Sequence, residues 1–395
     1  MAAYYWVGGT AAWDGTAGTK WADASGGTNY YATAPTSADT VFFDSASGAS
    51  TVTISTGNTG AQSINCSTFT GTLTGTAAIN VSGSVTLVTG MTYTHTGTMT
   101  FLGTGTLTTA GKTFSGVTVN AAGITVTLGD NLNISTRTLT ITSGTFDTAG
   151  FNITAGILSS SGSVARTINL NSSTVTLSST ATALNFANST NLTFNAGTSQ
   201  ITFTGLGPAF SGGSQTFYNV SFTNAASSAS PATITGTNTF NNLTINGPAT
   251  TGNQLYAFGA NQTINGTLTL NSSTNVTQRI TIRSDTIGTV RTLTCAAVAA
   301  ISDAPISGTR LGNADNNSGI TFSAGVNKYW NLAAGGNWTA TAWALSSGGS
   351  PAVNNFPLAQ DTVYIENTGL NTGATITLDT DCYVGTVDMS SRTNA

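Results

Sequence analysis

Charge is what this sequence has least of. Lys, Arg, Asp and Glu make up 6% of its 395 residues, against about 25% in an ordinary soluble domain. With a net charge of -4 there is no basic stripe for a phosphate backbone, which argues against nucleic-acid binding. There is one histidine, His95, and one glutamate, Glu366, so a multi-histidine metal centre or a Ser-His-Asp triad lacks its parts. The three cysteines, Cys66, Cys295 and Cys382, are odd in number and far apart. They fit neither a disulfide framework nor a zinc spacing, and free thiols are expected. No run approaches 18 apolar residues, so no helix is expected to span or insert into a membrane. The Met1-Ala2-Ala3-Tyr4-Tyr5-Trp6 start lacks the basic and apolar regions of a secretory signal. Helix formers are scarce while Thr, Val and Gly are everywhere, which excludes a helical protein. The pairs Gly8-Gly9, Gly26-Gly27, Gly212-Gly213 and Gly335-Gly336 have no strand–loop–helix context for holding phosphate.

What is present is patterned. Hydrophobic residues reach 39% and fall into short alternating runs, among them Val117-Thr-Val119, Leu139-Thr-Ile141, Leu192-Thr-Phe194, Leu243-Thr-Ile245 and Leu268-Thr-Leu270. Each puts branched or aromatic residues on one face and Thr, Ser or Asn on the other, the period-two signature of a half-buried strand. Anchors at Val85, Leu107, Leu132, Ile153, Leu170, Leu192, Val220, Leu243, Leu268 and Leu293 recur every 17 to 28 residues. A loose period of strands and turns is one coil of a β-solenoid. Gly and Asn between the runs, as in Ser143-Gly144 and Asn195-Ala-Gly197, tolerate the positive φ of tight corners. Asn131, Asn191, Asn219 and Asn242 stand at strand starts, where they form either inward amide ladders or surface turns.

The two ends have another texture. Tyr5-Trp6, Trp13, Trp21, Pro35, Asp39-Thr-Val-Phe-Phe-Asp44 and Thr51-Val-Thr-Ile54 are matched by Tyr329-Trp330, Trp338, Trp343, Pro357, Asp361-Thr-Val-Tyr-Ile-Glu366 and Thr375-Ile-Thr-Leu378. The offset stays between 322 and 324 from Trp6/Trp330 through Pro35/Pro357 and Asp39/Asp361 to Ile64/Val387. That constancy marks a duplicated module, and it holds all six tryptophans. Large aromatics supply a core that small polar residues cannot, and they suit an element covering the open end of a stacked sheet. The loop before Asp361 has Asn-Phe-Pro357 where the first copy has Ala-Pro35-Thr, which predicts a different local build. The expected fold is all-β: a right-handed parallel β-helix, or β-solenoid, shaft flanked by two small Trp-rich β modules. The expected partition is a first aromatic module over 1–70, a shaft over 71–300, a transition over 301–326 and the second module over 327–395. Where the first copy runs on into its solenoid the second reaches Ala395, so the native chain is expected to be longer or to end its last element there.

The order Tyr5-Trp6, spaced tryptophans, Pro35-Thr-Ser-Ala-Asp39-Thr-Val-Phe-Phe-Asp44 and Thr51-Val-Thr-Ile54 resembles a module of tailed-phage virion proteins. So do Thr127-Leu-Gly-Asp-Asn-Leu-Asn-Ile134, Thr138-Leu-Thr-Ile-Thr-Ser-Gly-Thr-Phe-Asp-Thr-Ala-Gly150, Arg283-Ser-Asp-Thr286 and Asp315-Asn-Asn-Ser-Gly319. The resemblance implies a non-enzymatic structural component: a multimeric fibre, appendage or capsid- or tail-attached protein. It carries no catalytic residue across. On that reading copies assemble in the host cytoplasm, a trimer being favoured by closed cyclic symmetry, against other virion proteins and with a host surface glycan as a contact. An extracellular adhesin or matrix fibre is the alternative.

Four sets of residues are candidates for chemistry. Asp130, Arg137 and Asp147 form the densest charged set in the shaft, read as a turn-capping ion pair or, against it, as the carboxylates of a glycan depolymerase. Asn313, Asp315 and Asn317 alternate like a calcium loop but lack its closing acid. Trp6, Trp13, Trp21, Trp330, Trp338 and Trp343 are core residues or a sugar-stacking platform. Rows such as Thr138-Leu-Thr140 and Thr267-Leu-Thr269 look like an ice-binding face, although irregular coil lengths argue against a regular lattice. The inward face is assigned to Leu132, Ile134, Leu139, Ile141, Leu192, Phe194, Leu243, Ile245, Leu268 and Leu270. No cofactor and no catalytic residue are predicted.

Overall fold

The computed structural model describes residues 2–55, 59–224, 228–248, 252–271, 278–286, 289–297, 324–379 and 382–393. It is all-β, 46% strand and 1% helix, and forms a parallel β-solenoid of about 13 turns. The chain divides into two compact units, Met1–Val220 with Thr235–Asn238, and Ser221–Ile234 with Thr239–Ala395.

In the first unit each coil lays down three short strands, and like strands stack in parallel into three ladders. One runs Val41, Ile64, Val85, Leu107, Leu128, and continues through Val126, Phe146, Ile168, Phe194. The second stacks Val52 on Leu73 and Tyr93, and further along Leu132, Ile153, Val175, Ile201. The third runs Ala61, Val81, Phe101, Val119, Ile141, and Leu139, Leu158, Leu184, Phe210. Nearly all of these side chains are buried. Alternation is what lets this work: with side chains pointing to opposite faces in turn, one apolar residue per pair is enough to line the interior. Each fully buried aliphatic contributes about 1.5–3 kcal/mol.

The ladders revise the sequence anchors. Val85 does stack on Leu107, Leu132 on Ile153 and Leu243 on Leu268. But Leu107 lies against Leu128, not on the way to Leu132, which belongs to another ladder. With three alternating strands per coil, a single row of anchors slips from one face to the next.

Leading-edge closure comes from the aromatic residues of the first copy. Ala3–Trp6 pairs in parallel with Thr40–Phe42, and on its other side antiparallel with Trp21–Ala22. That antiparallel strand covers the edge which a parallel sheet would otherwise leave open. Thr40–Phe42 in turn pairs with Ser63–Asn65, so the strands of 1–70 run directly into the ladders.

Within the second unit Ile234 stacks on Phe258, Ile245 on Leu270 and Ile264 on Cys295, all in parallel. The second aromatic copy repeats the leading-coil pairing. Asn327–Trp330 lies between antiparallel Trp343–Ala344 and parallel Thr362–Tyr364, which pairs with Thr386–Asp388.

Corners use positive φ, as expected, at Gly144, Gly150 and Gly197, and also at non-glycine residues, including Ala110, Ser135, Ala149, Asn171 and Asn191. Gly197 shows why one corner admits nothing else: at φ +59 a Cβ would lie 2.2 Å from the Asn171 carbonyl oxygen.

Candidate functional site

The duplicated aromatic module is the one constellation built twice, and the two copies agree in detail. Trp6 meets Trp21 edge-on at 4.9 Å and 85°; Trp330 meets Trp343 at 5.2 Å and 88°. Tyr5 stacks on Phe42 at 4.8 Å, and Tyr329 on Tyr364 at 4.8 Å. Trp13 closes on Trp21 at 5.4 Å and Trp338 on Trp343 at 4.6 Å. In the first copy Phe43 and Phe69 complete the cluster; in the second, Phe356, Val363, Ile365 and Leu370 do so. All six tryptophans are buried, so none offers a ring face to a sugar.

Each copy is also tied by one aspartate. Asp39 accepts from the amides of Ala2 (3.0 Å) and Thr36 (3.1 Å), and Asp361 from those of Val326 (3.0 Å) and Leu358 (3.0 Å). Burial works against the Asp39 carboxylate, yet those amides and the Thr36 hydroxyl hold it below its ordinary value. The loop before Asp361 therefore makes the same cap as its counterpart, despite the change around Pro357. The difference is that Leu358 offers no hydroxyl where Thr36 does.

The other sequence candidates scatter. Leu132, Ile134, Leu139, Ile141, Leu243, Ile245 and Leu268 are buried, while Leu192, Phe194 and Leu270 are only partly so. Asp130 accepts from the amides of Thr109 (2.7 Å) and Ala110 (2.6 Å). Asp147 accepts from the Ala149 amide (2.8 Å) and the side chains of Asn169 (3.0 Å) and Asn171 (2.7 Å). Neither makes an ion pair with Arg137: among the described residues the pairs are Lys20–Asp14 and Arg291–Asp285. The expected ion-pair set is thus corrected to two separate turn caps. His95 is buried, its Nε2 2.7 Å from the Ala77 carbonyl oxygen, and burial lowers its pKa against the opposing pull of that carbonyl. Cys66 is buried, and burial pushes its thiol pKa up. Asn313, Asp315 and Asn317 lie outside the described residues. Among those described, no group of three or more His, Cys, Asp or Glu is placed to hold a metal, and no helix is long and apolar enough to cross a membrane.

Polar side chains instead bind coil to coil. Asp147, Asn169 and Asn195 are successive ladder partners, and their side chains bond in series at 3.0 and 2.8 Å. These three side chains are half-buried or exposed, so the series runs along the outside of the coils and is not the inward amide ladder considered for the strand-start asparagines. Asn131 and Asn242 accept the amides of Asn152 (2.9 Å) and Thr267 (2.8 Å) in the next coil, and Asn191 donates back to the Ser163 carbonyl (2.8 Å). Threonines also align: Thr125, Thr145, Thr167 and Thr193 follow one another in register. Length variation goes into the turns, so irregular coils do not break this row.

One group was missed in the sequence. Arg166 is buried, and its guanidinium donates to the carbonyls of Ser160 (2.9 Å), Val164 (2.9 Å), Asn188 (2.5 Å) and Thr190 (2.8 Å), while its Nε donates to the Ser160 hydroxyl (2.8 Å). An arginine among carbonyls staples two neighbouring turns. Nothing in Ser163-Val-Ala-Arg166 distinguishes it from a surface residue. No protein-family model, curated protein or solved structure matches the chain.

Proposed function

We propose that this chain is a non-enzymatic structural component of a tailed-phage virion: a fibre, appendage or capsid- or tail-attached protein. The observation that carries the reading is the way the polar groups are spent. The carboxylates, the ladder asparagines and Arg166 bind turns and neighbouring coils to one another, in a parallel solenoid of about 13 turns. Such a chain is suited to rigidity and resistance to proteolysis, because its backbone groups are paired coil to coil. The sequence resemblance of the Trp-rich module supplies the virion context, and the weakly polar faces suit lateral association of copies as a trimer. In this role the protein assembles in the host cytoplasm with other virion proteins and meets a host surface glycan.

The test is cryo-electron microscopy of the particle that contains this chain, with the chain traced in the density. Symmetric copies projecting from a head, neck or tail are expected. Cell-associated filaments of stacked chains would overturn the virion reading in favour of an adhesin. Release of reducing sugar ends from capsular polysaccharide by the purified chain would overturn the non-enzymatic one.

A further inference from the structure

In the first unit the second ladder is interrupted between two neighbouring coils. Thr92–Tyr93 pairs with Thr72–Gly75 in the coil before it, and the ladder resumes at Leu132–Asn133. Between them Thr113 forms a single bridge, to Asn133, and among the described residues no strand pairing joins Thr92–Tyr93 to Thr113. The same two coils pair without a break on their other faces, Val85 with Leu107 and Met99 with Val117. Side chains close the seam instead. The Tyr93 ring lies 4.9 Å from that of Phe114, and Lys112 Nζ donates to Thr89 O (2.9 Å).

The protein's one histidine stands beside this seam, 2% exposed. A carbonyl only accepts, so Nε2 carries the proton given to Ala77 O (2.7 Å), and Nδ1 is left facing the Tyr93 hydroxyl (3.4 Å). At Gly97 a Cβ would lie 2.7 Å from His95 Cε1 and 2.2 Å from Ala77 O, so the backbone holds the ring closely. The titratable neighbours are Tyr93 and, against it, Cys66; burial pushes both upward, so they stay neutral while His95 titrates. Lys112 is turned to Thr89 O, and Asp130 to the amides of Thr109 and Ala110. Burial and the Ala77 carbonyl alone move the imidazole's titration, and no carboxylate compensates a charge on it.

We propose that this seam is a proton-operated opening in the shaft: when His95 takes up a proton, the strand that carries it parts from its neighbours while distant coils stay closed. The device is independent of the virion reading. A protonated ring keeps its bond to Ala77 O and turns a second N–H toward Tyr93, but it leaves a positive charge among apolar side chains with no partner. On the seam side there is no strand pairing to resist release. The bonds to be lost run to the preceding coil, among them Thr94 N to Leu73 O (2.9 Å) and Thr96 N to Gly75 O (2.8 Å). The opened strand binds its proton at the ordinary histidine value of 6.5 and the closed strand binds it lower. Opening therefore grows as pH falls below that value, by up to about tenfold between pH 7.5 and 5.5.

To test this, amide exchange in the full chain is followed at about pH 7.5 and about pH 5.5, each corrected for the intrinsic pH dependence of exchange. Protection of the Thr94 and Thr96 amides should fall by about threefold to tenfold at the lower pH. The amides of Thr148 and Leu170, bonded to Asn169 O (3.0 Å) and Asn195 O (2.9 Å) in distant coils, should keep theirs. No fall at Thr94 and Thr96 would overturn the proposal. So would an equal fall at all four amides, which would mean that acid loosens the whole shaft and not this seam. Both results are read in the wild-type chain and need no folded variant. His95→Gln, whose side-chain amide can still donate to Ala77 O, should abolish the fall; a fall that persists in it would assign the opening to another group and overturn the proposal.

Discussion

The N-terminal and C-terminal aromatic copies share their tryptophan geometry, their stacked tyrosine and their aspartate cap, yet they differ in cover. In the first, Ile64 and Cys66 sit beneath another coil and give their amides to it; in the second, Val387 and Met389 face solvent. The Trp cluster and the antiparallel edge strand are therefore common to both copies, whereas the last strand of the first copy is buried by the coil that follows it. Two smaller changes go with this. Ser47 donates its hydroxyl to Trp6 O (2.7 Å) in the first copy, while at the corresponding Gly369 a Cβ would lie 1.7 Å from Trp330 O. Buried Tyr4 is replaced by buried Lys328.

The largest expected effect breaks the comparison at its weakest joint. Ile64→Asp buries an unpaired charge and should cost more than about 4 kcal/mol, whereas Val387→Asp should stay within about 0.5 kcal/mol. Thermal unfolding of both variants checks this, and equal losses would mean that Val387 is covered after all. Trp21→Ala and Trp343→Ala probe what the copies share, and each should cost about 3–5 kcal/mol. A large difference between them would make one cluster dispensable. Next come the caps. Asp361→Ala strands two amides beside a buried site and should cost about 1–3 kcal/mol, and Asp39→Ala, being partly exposed, should cost less.

Much of this was legible in the sequence. Val117-Thr-Val119 and Leu139-Thr-Ile141 announced strands through alternation alone, and the steady offset from Trp6/Trp330 to Ile64/Val387 announced the duplication. Register was not legible, since an alternating strand on any of three ladders looks the same: Leu107 and Leu132 both suit an inward position but belong to different ladders. Nor was the fate of polar groups. Asp130 and Asp147 looked like partners for Arg137 because opposite charges close in sequence suggest a pair, yet backbone amides one coil away satisfied Asp130 first. Arg166 gave no signal because its cage is made of carbonyls, which every sequence has.

Two smaller effects concern groups that only the first copy's unit contains. Burial lowers the folded-state pKa of His95 below its ordinary 6.5. The unfolded chain then takes up the proton first, so stability is complete above about pH 6.5 and is lost as pH falls below it. His95→Gln should flatten that slope, which denaturant titrations between pH 5 and 8 would reveal. Smallest is the Lys20–Asp14 pair at 2.6 Å. The Lys20 side-chain bond, with help from Thr16, lowers the Asp14 pKa from 3.8 to about 2. Its contribution is present above about pH 4 and lost between about 4 and 2, and Lys20→Ala should cost at most about 1 kcal/mol at this partly exposed site. High salt should shrink that cost further.

The comparison itself is tested most directly by amide exchange in the unmodified chain, residue against counterpart. Slow exchange is expected at Ile64 and Cys66, whose amides are bonded to Ser84 and Thr86, and fast exchange at Val387 and Met389. Equally slow exchange at all four would contradict it, because the C-terminal edge would then be covered like the first.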